Sequence, residues 1–165
     1  MSTLVDHQIR YYAKTRGLVE PFEPEQLNPA SYDVTLGSKI QVEGYGGFHE
    51  IDISDRTHYL LPGDFILAHT EELVRINTMT EAVFQLKSSR GREGYQHMLA
   101  GYIDPGFTGQ VTLELKNVTS YQRLPIYKGL RIGQLRFATL ANNPERPYFM
   151  TGRYNNDRGA QVSKG

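Results

Sequence analysis

The 165-residue chain has no cysteine. No disulfide can staple it, which suits a reducing compartment, and a cytoplasmic location is expected. It has no surplus of either charge, with 18 Lys and Arg against 18 Asp and Glu. Proteins that grip duplex DNA or an anionic membrane carry a basic excess, so neither nucleic acid nor a membrane is expected as a partner. A local basic patch around bound phosphates stays open, because net charge averages over the surface. No stretch approaches the roughly 18 apolar residues of a membrane span. Met1 to Arg10 carries charges and no apolar run, so no secretory signal is expected.

Metal clusters are missing too. The five histidines (His7, His49, His58, His69, His97) are scattered, without an HxxxH pair or a cysteine partner. A zinc site needs clustered nitrogen or sulfur ligands. Zinc deaminases in particular need a His/Cys set beside a Glu, which this chain cannot supply. Hydrolysis here must use a carboxylate, or magnesium carried in by phosphates. Each histidine reads as a surface or packing residue. There is no GxxxxGK[ST] loop and no GxGxxG, so the two common nucleotide-binding folds are not indicated.

What is present is punctuated β structure. Asp6 to Arg16 is the best helix candidate, with Asp6 as cap, Ile9 and Tyr12 on one face, and Gly17 as stop. From Tyr32 onward short strand-like runs follow: Tyr32–Leu36, Lys39–Val42, Phe65–Ala68, Ala82–Leu86, Gln110–Leu115 and Gly133–Thr139. Such runs between glycine and proline turns indicate a mainly β barrel or sandwich with an N-terminal helix. No linker or repeat divides residues 1–165, so one domain is expected. The segment from Tyr148 is polar and glycine-containing; composition favours disorder, with ordering by a ligand as the alternative.

Three segments carry possible chemistry. Ser88-Ser89-Arg90-Gly91-Arg92 sets hydroxyls and guanidinium forks around a glycine, which suits phosphate or a carbonyl as well as an ordinary charged turn. Ile103 to Gly109 reads as a hairpin turn built on Asp104-Pro105-Gly106. In Val111-Thr112-Leu113-Glu114-Leu115 the alternation puts Glu114 on the face opposite the three apolar residues. A Glu there is usually solvated; set in a pocket, it takes and returns a proton near neutral pH.

The order of these segments resembles the dCTP deaminase branch of the trimeric dUTPase-like superfamily. The resemblance rests on Pro21 to Asp33 (PFEPEQLNPASYD), Leu61 to Phe65 (LPGDF) running on to Thr70-Glu71-Glu72, and Ser88 to Arg92 (SSRGR). It continues in Ile103 to Leu115 (IDPGFTGQVTLEL), Ile132-Gly133-Gln134, and the tail, where Arg146 to Tyr148 and Arg153 to Ser163 match. It implies a distorted β-barrel or β-clip (dUTPase-like) protomer, a homotrimer with active sites between subunits, and deamination without a protein-bound metal. Magnesium is then expected on the triphosphate and zinc is not. In the family's pattern Glu114 is the general base and acid for water attacking C4 of cytosine, and the Ala100 carbonyl helps hold that water. Ser88 and Arg92 orient base, water and developing charge. Ser89, Asp104, Thr112, Gln134, Tyr148, Arg153 and Asp157 fall on substrate-binding positions, Asp104 receiving the deoxyribose 3′-hydroxyl. Residues 148–165 match a nucleotide-covering segment.

Three departures stand out. The stretch between Arg92 and His97 is one residue shorter than in typical deaminases. Leu99 stands where many members have Thr, beside the loop through which dTTP inhibits some of them. Asp157 replaces a Gln, and a carboxylate near phosphates is unfavourable unless a cation offsets it. The leading expectation is conversion of dCTP to dUTP and ammonia. The alternative is a bifunctional enzyme that continues through dUTP to dUMP and pyrophosphate, since Ala100-Gly101-Tyr102-Ile103-Asp104 also resembles the dUTPase form. Behind these stand a plain dUTPase and a non-enzymatic nucleotide-sensing trimer.

Overall fold

In the computed structural model, which describes residues 2–165, β1 (Ser2–Thr3) leads into α1 (Asp6–Arg16), the helix expected from the sequence. Ile9 and Ala13 are buried, Tyr12 packs partly against the core, and Gly17 ends the helix in the left-handed region at φ 62°. The start differs in one detail. Val5, not Asp6, is the cap: its N–H donates to Gln8 Oε1 at 3.1 Å, while Asp6 Oδ1 accepts from the His7 N–H at 2.7 Å. A glutamine three residues into the helix reaches back and takes the orphan donor that Asp6, already helical, is not placed to take.

The strands that follow are β2 (Val19–Glu20), β3 (Leu27–Asn28), β4 (Ser31–Thr35), β5 (Lys39–Gly44), β6 (Gly47–Asp52) and β7 (His58–Leu60). Next come β8 (Phe65–Arg75), β9 (Thr80–Leu86), a short helix α2 (Ser88–Glu93), β10 (Tyr95–His97) and β11 (Tyr102–Ile103). The chain finishes through β12 (Thr108–Asn117), β13 (Leu124–Ile126), β14 (Arg131–Thr139) and α3 (Tyr148–Thr151). All six strand runs read from the sequence are present, several of them longer. The glycines around Tyr45 do more than punctuate: Gly44 pairs with Gly47, so β5 and β6 form a hairpin turning at Tyr45-Gly46.

Pairing is antiparallel throughout. One six-stranded sheet runs β11-β9-β14-β4-β3 with β1 on β14; the other runs β10-β12-β8-β5-β6 with β2 on β8. Neither path closes, and β7 pairs with β13 apart from both, so the fold is mainly β, as expected, without a closed barrel among the described residues. Tyr32, Val34, Leu135 and Phe137 of the first sheet and Ile66, Leu113 and Leu115 of the second share one buried cluster. Burying each such side chain stabilises by about 1.5–3 kcal/mol. The alternation expected along β12 holds, with Val111, Leu113 and Leu115 inward and Thr112, Glu114 and Lys116 only half-buried.

Two features of this frame place α2. Asp33, buried on β4, accepts from Asn28 Nδ2 at 2.8 Å and forms an ion pair with Lys87, the residue just before α2. The Lys87 N–H donates to the Ile132 carbonyl at 3.1 Å, tying the same point to β14. Among the described residues no helix is long and apolar enough to cross a membrane.

Candidate active site

β12 is flanked by β8 and β10, so Glu114 sits in mid-sheet with Leu67 opposite it on β8. Its carboxylate projects from the outer face into a cleft of about 490 Å³. On the other flank the Met98 N–H donates to the Glu114 carbonyl at 3.2 Å, which brings the end of β10 alongside. His97, buried and packed edge-on against Phe84 at 4.7 Å, thereby places Nε2 3.3 Å from Glu114 Oε2. Neither atom makes a hydrogen bond among the described residues, so both keep unused capacity at the edge of the cleft. This histidine is a packing residue as expected, but it is also the neighbour of the candidate base. Residue type carried no signal of that; only the β10–β12 register reveals it.

Asp104 enters the same cleft from a turn in which the Phe107 N–H donates to the Asp104 carbonyl at 3.1 Å. The turn is as expected, the hairpin is not: β11 pairs with β9, whereas β12 pairs with β8 and β10. The Asp-Pro-Gly stretch carries the chain from one sheet to the other, and local turn chemistry is the same in either case. At Gly106, with φ 90°, a Cβ would lie 3.0–3.2 Å from Phe149, Pro147 and Tyr148, so the start of the tail rests directly on the turn. The Tyr148 N–H donates to the Pro105 carbonyl at 2.8 Å, and its ring packs against Phe107 at 5.7 Å.

Burial pushes the Asp104 carboxyl above the ordinary carboxylate range. A carboxyl raised in the folded state keeps its proton to higher pH there than in the unfolded chain. The stability this confers is present below the unfolded value and is lost as pH rises through the window up to the raised folded value. Asp104→Asn is therefore expected to leave the melting temperature of the nucleotide-free protein at pH 7.5 unchanged or higher, while nucleotide turnover falls; a thermal melt beside a turnover assay checks both. A lower melting temperature would make Asp104 a structural residue.

Ala100 lies in the cleft wall, in the exposed loop between β10 and β11. Leu99 before it is 91% exposed and holds φ 65°, an uncommon conformation for a side chain of this size. Gly101 after it packs so closely that a Cβ would stand 2.5 Å from the Phe84 carbonyl oxygen.

The tail is ordered along the cleft, not disordered as its composition suggested. Its anchors are polar, and they fall on alternate residues of β12. The Asn156 N–H donates to the Thr108 carbonyl (2.6 Å), and the Gln110 N–H to the Asp157 carbonyl (3.1 Å). The Gly159 N–H donates to Gln110 Oε1 (2.8 Å), and the Gln161 N–H to Thr112 Oγ1 (3.1 Å). Tyr148, Tyr154, Asp157, Gln161 and Ser163 thus join Thr112 in lining the cleft.

The remaining candidates lie elsewhere in the chain. Ser88, Ser89 and Arg92 are exposed on α2 and do not line the cleft. That segment is a helix, not a turn: Gly94, at φ 103°, caps it by donating to the Arg90 and Gly91 carbonyls. Arg90 is taken up locally by Glu93 at 2.8 Å. Gln134 sits on β14, where its Oε1 accepts from Ser31 Oγ at 2.7 Å. Arg153 is exposed, and its carbonyl accepts from Lys164 Nζ at 3.0 Å. Among the described residues no group of three or more His, Asp or Glu side chains is placed to hold a metal ion.

The profile of the dCTP deaminase-like family matches residues 3–140. The chain is 36% identical to a dUMP-forming dCTP deaminase of Thermobifida fusca, over 88% of this chain and 83% of that protein. It is 35% identical to the dUMP-forming dCTP deaminase of Dictyoglomus turgidum, over 98% of this chain and 93% of the relative. Among solved structures, the 2′-deoxycytidine 5′-triphosphate deaminase of Agrobacterium tumefaciens superposes with a TM-score of 0.71 at 25% identity. The match covers 83% of this chain but 48% of that one, so this chain spans about half its length. A dUTPase from phage phi11 of Staphylococcus aureus (TM-score 0.53, 15% identity, 76% of this chain and 86% of that one) shares the fold.

Proposed function

The chain belongs to the dCTP deaminase-like family, and on that premise we propose that it converts dCTP and two waters into dUMP, pyrophosphate and ammonia. The relatives that form dUMP favour this product over the dUTP that the sequence favours by itself. The observation that carries the reading is the meeting of Glu114 and Asp104 in one cleft roofed by the tail.

Glu114 takes a proton from water as the oxygen attacks C4 of cytosine, then delivers it toward N3 and the departing ammonia. His97 Nε2, 3.3 Å away, is placed to steady whichever protonation state the carboxyl holds. The Ala100 carbonyl helps hold the attacking water, and Asp104 receives the sugar hydroxyl. Asp104 also serves the second step, in which water attacks the α-phosphorus and pyrophosphate leaves. Magnesium comes as part of the substrate, where it offsets phosphate charge. Residues 148–165 cover the nucleotide.

The cleft lining contains no lysine or arginine, while Ser88, Ser89 and Arg92 stand exposed on a helix away from it. That arrangement supports a homotrimer in which α2 of one copy completes the cleft of the next, with Gln134 and Arg153 toward the phosphates.

Product analysis tests the reading. With dCTP and magnesium, chromatography is expected to show dUMP and pyrophosphate in step with ammonia. Accumulation of dUTP would return the protein to the deaminase-only reaction, and binding without turnover would make it a nucleotide sensor.

A further inference from the structure

The loop from Arg153 to Lys164 is closed by its own last member. Lys164 Nζ reaches Asp157 Oδ2 at 2.5 Å and the Arg153 carbonyl at 3.0 Å, and lies 5.0 Å from the Tyr154 ring centroid. The Lys164 N–H donates to Tyr154 Oη at 3.0 Å. Four contacts from one residue thus tie both ends of the loop together. Its other ties are the hydrogen bonds to β12, and apolar burial adds little: from Arg153 onward only Ala160 is buried. A second cavity of about 620 Å³ undercuts the loop at Arg158 to Val162, on the side lined by His69 and Glu71. A segment held by polar anchors with almost no apolar burial opens at low cost, so a single added tie changes its closed population.

Charge makes a second demand at the same point. Asp157 lines the cleft beside Asp104 and Glu114, and no lysine or arginine shares that lining. Lys164 is the cation that meets Asp157.

We infer that Lys164 is a positioning residue, the clasp that holds the Arg153–Lys164 loop closed over the cleft and neutralises Asp157 where a nucleoside triphosphate binds. The inference rests on the nucleotide reading above. It explains how a carboxylate is tolerated at position 157: the loop carries its own counter-ion.

The experiment compares wild type with Lys164→Ala, Lys164→Arg, Asp157→Asn and the Asp157→Asn/Lys164→Ala pair. Hydrogen exchange across residues 153–164 is read without nucleotide, and kcat and KM with dCTP. In Lys164→Ala the loop amides are expected to exchange faster. If the closed population falls to about a tenth, KM rises about tenfold, with kcat nearly unchanged. Lys164→Arg restores the protection and most of the KM. The double variant has a lower KM than Lys164→Ala, because the stray carboxylate is gone. Unchanged exchange in Lys164→Ala overturns the clasp, and a double variant no better than Lys164→Ala overturns the charge role. Failure of the wild type to turn over dCTP would sink the reaction instead, leaving the clasp to be judged by exchange.

Discussion

Glu114→Gln is expected to lower ammonia release from dCTP by about 10²–10⁴-fold, the contribution of a positioned general acid–base group, while leaving nucleotide affinity nearly unchanged. The amide is nearly isosteric with the carboxylate and fills the same place in the cleft, but it cannot take the proton from water. Folding should be untouched. The Glu114 side chain is 26% exposed, its Oε2 makes no hydrogen bond, and the strand is held by backbone pairing and by Leu113 and Leu115 beneath. Single-turnover ammonia release, dCTP titration and a thermal melt separate the three effects. Full activity in this variant would remove Glu114 from its role. A loss of affinity matching the loss of rate would make it a binding residue instead.

The same glutamate shows how far sequence reaches. The alternation Val111-Leu113-Leu115 fixes the face on which Glu114 lies, because a strand has a side-chain period of two. What stands beside it depends on which strands flank β12, and that is a non-local matter. His97 is adjacent only because β10 pairs with β12, and no local pattern announces that pairing. The Asp-Pro-Gly turn was legible and its destination was not, for the same reason. α2 is too short for a helical period to register in its residues. The tail misleads in a different way. Beyond Met150 its composition is poor in the apolar residues that order a chain by burial, yet it is ordered by hydrogen bonds to Thr108, Gln110 and Thr112. That alternate-residue ladder is invisible until the outer face of β12 is known to have no other cover.

Arg92→Ala is expected to lower kcat/KM for dCTP by about 10²–10³-fold, as for other donors aimed at developing charge, although Arg92 lies outside its own chain's cleft. Arg92 is exposed on α2, whose position is set by the Lys87–Asp33 pair and the Gly94 cap, so its removal should not disturb the fold. An effect of that size from so remote a residue requires a second copy to bring the guanidinium in. Co-expression with Glu114→Gln turns this into a direct test. In randomly assembled rings half of the clefts carry an intact Glu114, and half of those meet an intact Arg92. Two nearly dead variants should then recover about a quarter of wild-type activity. Tandem purification through two different tags leaves only mixed rings, each with one intact cleft of three, and raises the recovery to about a third. Recovery no greater than the sum of the two single variants would mean that each cleft works within one chain, and would remove α2 from the reaction.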